Sequence, residues 1–185
     1  FKTKDTTLGL DGIIWKCPKC GAGDSLITEN SGIRCSECGL NASIDFYGKI
    51  TGLPEESGIS TVADWYNYCK RSLDISQTFV TECIIATEDK NGYLVQNAGK
   101  GVFRIDRDTL SLCGKYDVGE GETEVNFVTS PEKVKGIPIN VAEHFDMYCS
   151  DKLFHLTAIP DVRKAIIPVT YMDLVVEEKL SRQDE

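Results

Sequence analysis

The chain has 185 residues, 41 % of them hydrophobic and 26 % charged, with a formal net charge of −9. That composition is globular and supplies a core for one large domain or two small ones. It contains no apolar run near the roughly 20 residues that cross a bilayer and no charged segment followed by an apolar stretch of signal-peptide type, and its acidic balance repels phosphate backbones unless the basic residues gather on one face.

Residues 1 to 12 are polar with Gly9 and Gly12, and they read as a lead-in linker. Ile13, Ile14 and Trp15 then run into Cys17-Pro18-Lys19-Cys20-Gly21, and Cys35-Ser36-Glu37-Cys38-Gly39 follows with 14 residues between the two cysteine pairs. Two thiol pairs at this spacing suit a tetrahedral ion that needs four sulfurs about 2.3 Å away, and the glycine after each pair closes the knuckle at positive φ without a Cβ clash. The expected ligands are Cys17, Cys20, Cys35 and Cys38 and the expected cofactor is structural Zn2+, with disulfides or a redox-active pair as the alternatives. Four thiolates with the ion would bring the net charge to about −11.

Ser25 to Thr28 and Gly32 to Arg34 form a hairpin turning at Glu29-Asn30-Ser31-Gly32, Ala42 to Phe46 alternates like a strand, and Tyr47-Gly48-Lys49-Ile50 turns into another. The zinc ribbon therefore spans 13 to 52, too small for a self-sufficient core. Residues 53 to 76 hold a turn-rich linker and a connector helix over 61 to 73. Thr61 serves as N-cap with Asp64 in the first turn, and Val62, Trp65, Cys69 and Leu73 recur at helical spacing. That helix packs Trp65 internally or offers an aromatic docking face to a partner.

From 77 the period changes to two. Strands are expected at 79–87, 93–98, 101–106, 109–116, 123–129, 142–149 and 153–159, broken at Asp89-Lys90-Asn91-Gly92, Ala98-Gly99-Lys100-Gly101, Asp106-Arg107-Asp108, Gly119-Glu120-Gly121 and Ser150-Asp151-Lys152. A terminal helix near 167 to 181 follows, with Val169, Met172, Val176 and Leu180 on one stripe and Pro168 in its first turn. The fold class is thus mainly β: a four-cysteine ribbon and, over 77 to 185, seven antiparallel strands capped by a C-terminal helix. This is the element order of a pleckstrin-homology-like domain, with a helix-capped β-barrel of another superfamily as the alternative.

Candidate chemistry outside the ribbon is sparse. His144 and His155 lie on expected strands and invite a nucleophile–base reading with Cys149, but no oxyanion-type or glycine-rich motif accompanies them, so ordinary polar strand positions are expected. Lys100 with Arg104 and Arg107, Lys133 with Lys135, and Lys152 with Arg163 and Lys164 are the clusters available to a lipid headgroup; alternation sends Arg104 and Arg107 to opposite faces. Residues 1 to 50 carry six basic and six acidic side chains and no basic stripe, which argues against a nucleic-acid partner. Four cysteine ligands leave no open position for a catalytic water, so the zinc is not a catalytic one. Cys69, Cys83, Cys113 and Cys149 stand singly, as small apolar residues of a chain kept in a reducing, cytoplasmic compartment.

Ile14-Trp15-Lys16-Cys17-Pro18-Lys19-Cys20-Gly21, Cys35-Ser36-Glu37-Cys38-Gly39, Asp45-Phe46-Tyr47-Gly48 and Asp64-Trp65-Tyr66 together resemble the C-terminal extension of certain bacterial lysophospholipid (1-acylglycerol-3-phosphate) acyltransferases. The resemblance covers about residues 10 to 75. It implies a catalytic domain upstream and makes this chain a non-catalytic regulatory or interaction region at the cytoplasmic membrane face, contacting protein or membrane lipid. That family's catalytic motif is a His with an Asp five positions later; here Cys149 and Pro160 stand five positions after His144 and His155, so no catalytic residue carries over. The start at Phe1 fits the expectation of a piece of a longer protein. A lipid-headgroup-binding module and a nucleic-acid-associated zinc ribbon are the alternative functions.

Overall fold

The structure is a computed structural model that describes residues 7–29, 31–134, 136–141 and 143–183. Asn30 of the expected hairpin turn, Lys135, the start of the strand expected at 142, and residues 1 to 6 of the lead-in lie outside the described residues. The chain is mainly β, with two antiparallel sheets in two compact units that divide between Leu73 and Asp74.

The first unit carries a four-stranded sheet in sequential order: β1 (Leu26–Glu29), β2 (Gly32–Cys35), β3 (Asn41–Ile44) and β4 (Ile50–Thr51). Alternation does what the pattern requires, burying Ile33, Cys35, Ala42 and Ile44 while Arg34 stays exposed. Asp45 makes the turn into β4, its Oδ1 accepting from the Tyr47 and Lys49 amides at 2.9 Å each. Residues 7 to 12 are part of this unit rather than a free linker, since Thr7 is fully buried and Asp11 accepts from the Thr28 hydroxyl across a 3.3 Å contact.

Helix α1 (Val62–Arg71) also belongs to this unit instead of connecting two modules. It starts at a capping box, in which the Asp64 amide donates to Thr61 Oγ1 at 3.1 Å and the Thr61 amide donates to Asp64 Oδ2 at 2.9 Å. Hydrogen bonds from the side chains of Ser60 and Thr61 and from their amides hold the Asp64 carboxyl down at about 2. Because the folded value is depressed, this contribution is complete above the unfolded value near 4 and is lost as pH falls through about 2. Thr61→Ala is expected to lower the stability of this unit by about 1 kcal/mol, read as a shift of its urea midpoint by tryptophan fluorescence.

Trp65 and Cys69, the helix residues with no exposed surface, face Lys16. The Trp65 indole donates to the Lys16 carbonyl at 2.9 Å, the Tyr68 hydroxyl to the Cys17 carbonyl at 3.4 Å, and the Tyr66 ring meets Trp15 edge-on at 6.1 Å. Trp65 is therefore a core residue of the unit and not a docking face.

The second unit is built on a seven-stranded sheet of β5 (Phe79–Glu88), β6 (Leu94–Ile105), β7 (Leu110–Tyr116), β8 (Thr123–Thr129), β9 (Ile139–Asn140), β10 (His144–Cys149) and β11 (Lys152–Ile159). The spatial order is β8-β7-β6-β5-β11-β10-β9, so two meanders join where the first strand pairs with the last, Ile85 opposite Leu156. The strands expected at 93–98 and 101–106 are one continuous strand. Gly99, Lys100 and Gly101 are paired on both sides, and the glycines are there because the neighbouring backbone leaves no room: a Cβ at Gly99 would stand 1.9 Å from the Lys115 carbonyl oxygen, and one at Gly114 would stand 2.4 Å from that of Lys100.

One face of the sheet carries Phe103, Ile105, Leu110, Leu112, Phe145 and Leu156, all fully buried. Helix α2 (Ile166–Gln183) closes the core. Its buried face runs through Tyr171, Met172 and Val175, and Leu180, expected on the buried stripe, is 57 % exposed. The Tyr171 hydroxyl donates to the carbonyls of Ile75 and Gln77, and Arg107 pairs with Glu178 at 3.0 Å, so the helix sits over the end of the sheet where β5 begins and β6 turns into β7. Among the described residues no helix is long and apolar enough to cross a membrane.

Candidate metal centre

Both knuckles fold by the same local rule. The Cys17 amide donates to the Ala22 carbonyl and the Gly21 amide to the Cys17 carbonyl, each at 2.9 Å; the Cys35 amide donates to Leu40 at 2.9 Å and the Gly39 amide to Cys35 at 3.0 Å. Gly21 and Gly39 have φ of 74° and 68°, the left-handed conformation that turns the chain back after each second cysteine. The Ser36 amide donates to the Ser25 carbonyl at 2.8 Å, which ties the second knuckle to the start of β1.

The four sulfurs converge, all lying within 4.8 Å of one another. Cys17 Sγ is 3.7 Å from Cys38 Sγ, and Cys20 Sγ is 3.8 Å from Cys35 Sγ. Disulfide sulfurs stand about 2.05 Å apart, so these pairs are not bonded, and all four cysteines are free. Four sulfurs each about 2.3 Å from a common centre have edges of about 3.8 Å, the spacing of the Cys17–Cys38 and Cys20–Cys35 pairs. The geometry fits a tetrahedral metal ion and leaves no fifth position for water.

Electrostatics point the same way. Burial pushes the Cys17 thiol up to about 12. Burial also raises Cys35, but the Ser25 hydroxyl and the backbone at Cys38 and Glu37 outweigh it and bring that thiol to about 6. A cluster of this kind ionises fully only with a cation among its sulfurs, so loading it releases protons.

The remaining candidates separate by face. Cys149 points into the core, where burial raises its thiol to about 12, whereas His144 and His155 stand on the opposite face of β10 and β11. Strand alternation therefore keeps Cys149 from acting with either imidazole. The partner of both histidines is Asp146, which the sequence reading passed over: His155 Nδ1 lies 2.7 Å and His144 Nε2 3.5 Å from its Oδ1. The signal was present, because His144 and Asp146 are two apart on one strand and the tight turn at Ser150-Asp151 sets Asp146 opposite His155.

Lys135 and the Arg163 side chain lie outside the described residues, and several of the other basic residues have partners. Arg107 pairs with Glu178, and the Lys152 ammonium lies over the Tyr116 ring at 4.6 Å. Lys100 and Lys115 face each other across β6 and β7 in a groove of about 670 Å³, but Glu82 and Glu122 line it too, and Lys115 pairs with Glu122 at 2.7 Å. With Asp117 also in its lining the groove holds two lysines and three acids, so it is not anion-seeking.

No protein-family model, curated protein or solved structure matches the chain.

Proposed function

We propose that this chain is a non-catalytic accessory region of a larger membrane-associated enzyme, a lysophospholipid acyltransferase, in which structural zinc on Cys17, Cys20, Cys35 and Cys38 holds the first unit in shape and the second unit supplies a contact surface for protein. The observation that carries this reading is that most of the residues bearing the acyltransferase-extension resemblance meet in one place, the exposed turn Asp45-Phe46-Tyr47-Gly48 aside: Trp65 bonds to Lys16, Tyr66 packs on Trp15, and both knuckles close one cluster. Those residues are thereby accounted for as a folding unit with its metal, and four thiolates give the ion no open position for chemistry. The second unit supports a pleckstrin-homology-like assignment through its strand order, in which first and last strands pair and a C-terminal helix covers one end. The mixed charges of the Lys100–Lys115 groove favour a protein surface over a lipid headgroup as partner.

Two measurements test this reading. The purified, zinc-loaded chain is expected to transfer no acyl group from acyl-CoA to lysophosphatidic acid, and turnover by the chain alone would refute the non-catalytic assignment. Sedimentation with vesicles of phosphatidylcholine, with and without phosphatidic acid, is expected to give no saturable headgroup-selective binding; such binding would replace the protein-contact reading by the lipid one.

A further inference from the structure

We propose that His144, Asp146 and His155 form a second metal site, which takes one divalent transition ion of the zinc class across β10 and β11. It lies in the seven-stranded unit, shares no residue with the four-cysteine cluster, and does not depend on the acyltransferase reading.

Strand geometry assembles the site. Asp146 and His155 are directly opposed in the β10–β11 register, and His144 precedes Asp146 by two residues, so all three side chains leave the same face. On the other face Phe145, Met147, Phe154 and Leu156 are buried in the core, which fixes the two strands beneath the three donors. A site on packed strands holds its donors more rigidly than one on a loop.

The donor atoms already stand close to a coordination polyhedron. Each histidine turns one ring nitrogen to the same carboxylate oxygen, His155 Nδ1 at 2.7 Å and His144 Nε2 at 3.5 Å, and one donor atom from each of the three residues lies within 4.8 Å of the others. Donors about 2.0–2.2 Å from one ion are separated by about 3.0–3.5 Å, so the His144–Asp146 spacing of 3.5 Å already suits an ion and the His155–Asp146 contact of 2.7 Å opens to admit one. The rings meet edge-on with centroids 5.2 Å apart, which lets their nitrogens converge without stacking. The second nitrogen of His144 lies 3.9 Å from Glu143 Oε2, an oxygen that accepts from the Asn140 side-chain amide, so the imidazole is not tied down on that side.

Donor type sets the ion. Two imidazoles and one carboxylate favour zinc, nickel or copper over calcium and magnesium, which want oxygen alone. The side chains of His144, Asp146 and His155 are 27 %, 21 % and 21 % exposed, so the site is shielded on the sheet side and open to water on the other. Three protein donors with water in the remaining positions is an open site, unlike the closed thiolate cluster.

The rival use of the same three groups is a plain carboxylate–imidazole clamp between two strands with no ion. The chain has only two histidines, so its imidazole NMR spectrum contains both groups of interest and no others. Zn2+ is added at neutral pH to the full chain already carrying one zinc per cluster. Both imidazole side chains are expected to shift together, with metal content rising to two zinc per chain; Asp146→Asn and His155→Ala are each expected to weaken this second ion at least about 100-fold, a loss no smaller than that seen for outer-sphere partners, while the first zinc stays. Zinc content that stops at one per chain, or imidazole resonances that ignore zinc, would leave only the clamp and overturn the proposal. Because the NMR readout uses the unaltered chain, a variant that failed to fold would not shelter the idea.

Discussion

Removing the metal by chelation, or replacing Cys17 with Ser, is expected to unfold residues 7 to 73 as a unit while the seven-stranded sheet keeps its structure. A unit of this size gains only about 3–5 kcal/mol from its core, whereas structural zinc in small domains contributes about 10–16 kcal/mol of binding free energy that is folding free energy. The metal term exceeds the core term, so the apo form should not persist. The loss spreads from the first knuckle to the helix: Cys17 is fully buried, and the Lys16 and Cys17 carbonyls receive the Trp65 and Tyr68 side chains, so a loosened first knuckle also releases helix α1. Both tryptophans, Trp15 and Trp65, belong to this unit and are buried, at 8 % and 0 % exposure, so indole emission reports on it alone. The expected result is a red shift on chelation with amide signals from residues 79 to 175 unchanged; a Cys17→Ser protein that kept its blue emission without zinc would show that the metal is not structural.

Phe103→Ala should be the most damaging single truncation in the second unit. Phe103 is fully buried near the C-terminal end of β6, between Thr81 of β5 and Leu112 of β7, and its ring meets Phe145 edge-on with centroids 5.1 Å apart. It therefore ties the first meander to the second across the core, and the hole left behind cannot be filled from one strand alone. Emptying such a site costs about 3–5 kcal/mol, out of about 5–15 kcal/mol for a whole domain. With a urea slope of about 2 kcal/mol/M the midpoint should fall by about 2 M. Far-ultraviolet circular dichroism follows the loss, and unchanged tryptophan emission serves as the control. A shift below a quarter of that size would mean that Phe145 and Leu156 collapse into the space.

The places where sequence reasoning succeeded and failed share a physical pattern. Thr61 and Asp64 were readable as a helix start because a capping box is local, closed by residues three apart. The knuckles were readable because each thiol pair and its glycine are set by one turn. Gly99-Lys100-Gly101 misled because glycine signals two different things: a free turn, or a backbone approached by another backbone. Only the pairing with Lys115 and Gly114 tells them apart. Helix α2 misled for a related reason. It offers more apolar residues than one stripe can bury, so periodicity alone allowed Leu180 inward where the sheet end accepts Tyr171 and Val175.

The sequence by itself determined the cluster at Cys17, Cys20, Cys35 and Cys38, the β character of both units and the C-terminal helix, since thiol spacing, two-residue alternation and capping act over a few residues. Tertiary structure alone decided that helix α1 belongs to the metal unit, that β5 pairs with β11, and that Asp146 stands between His144 and His155. The first two depend on docking or pairing between segments far apart in the chain, and the third on the register of the β10–β11 hairpin, where a one-residue slip would send the same side chains to the other face.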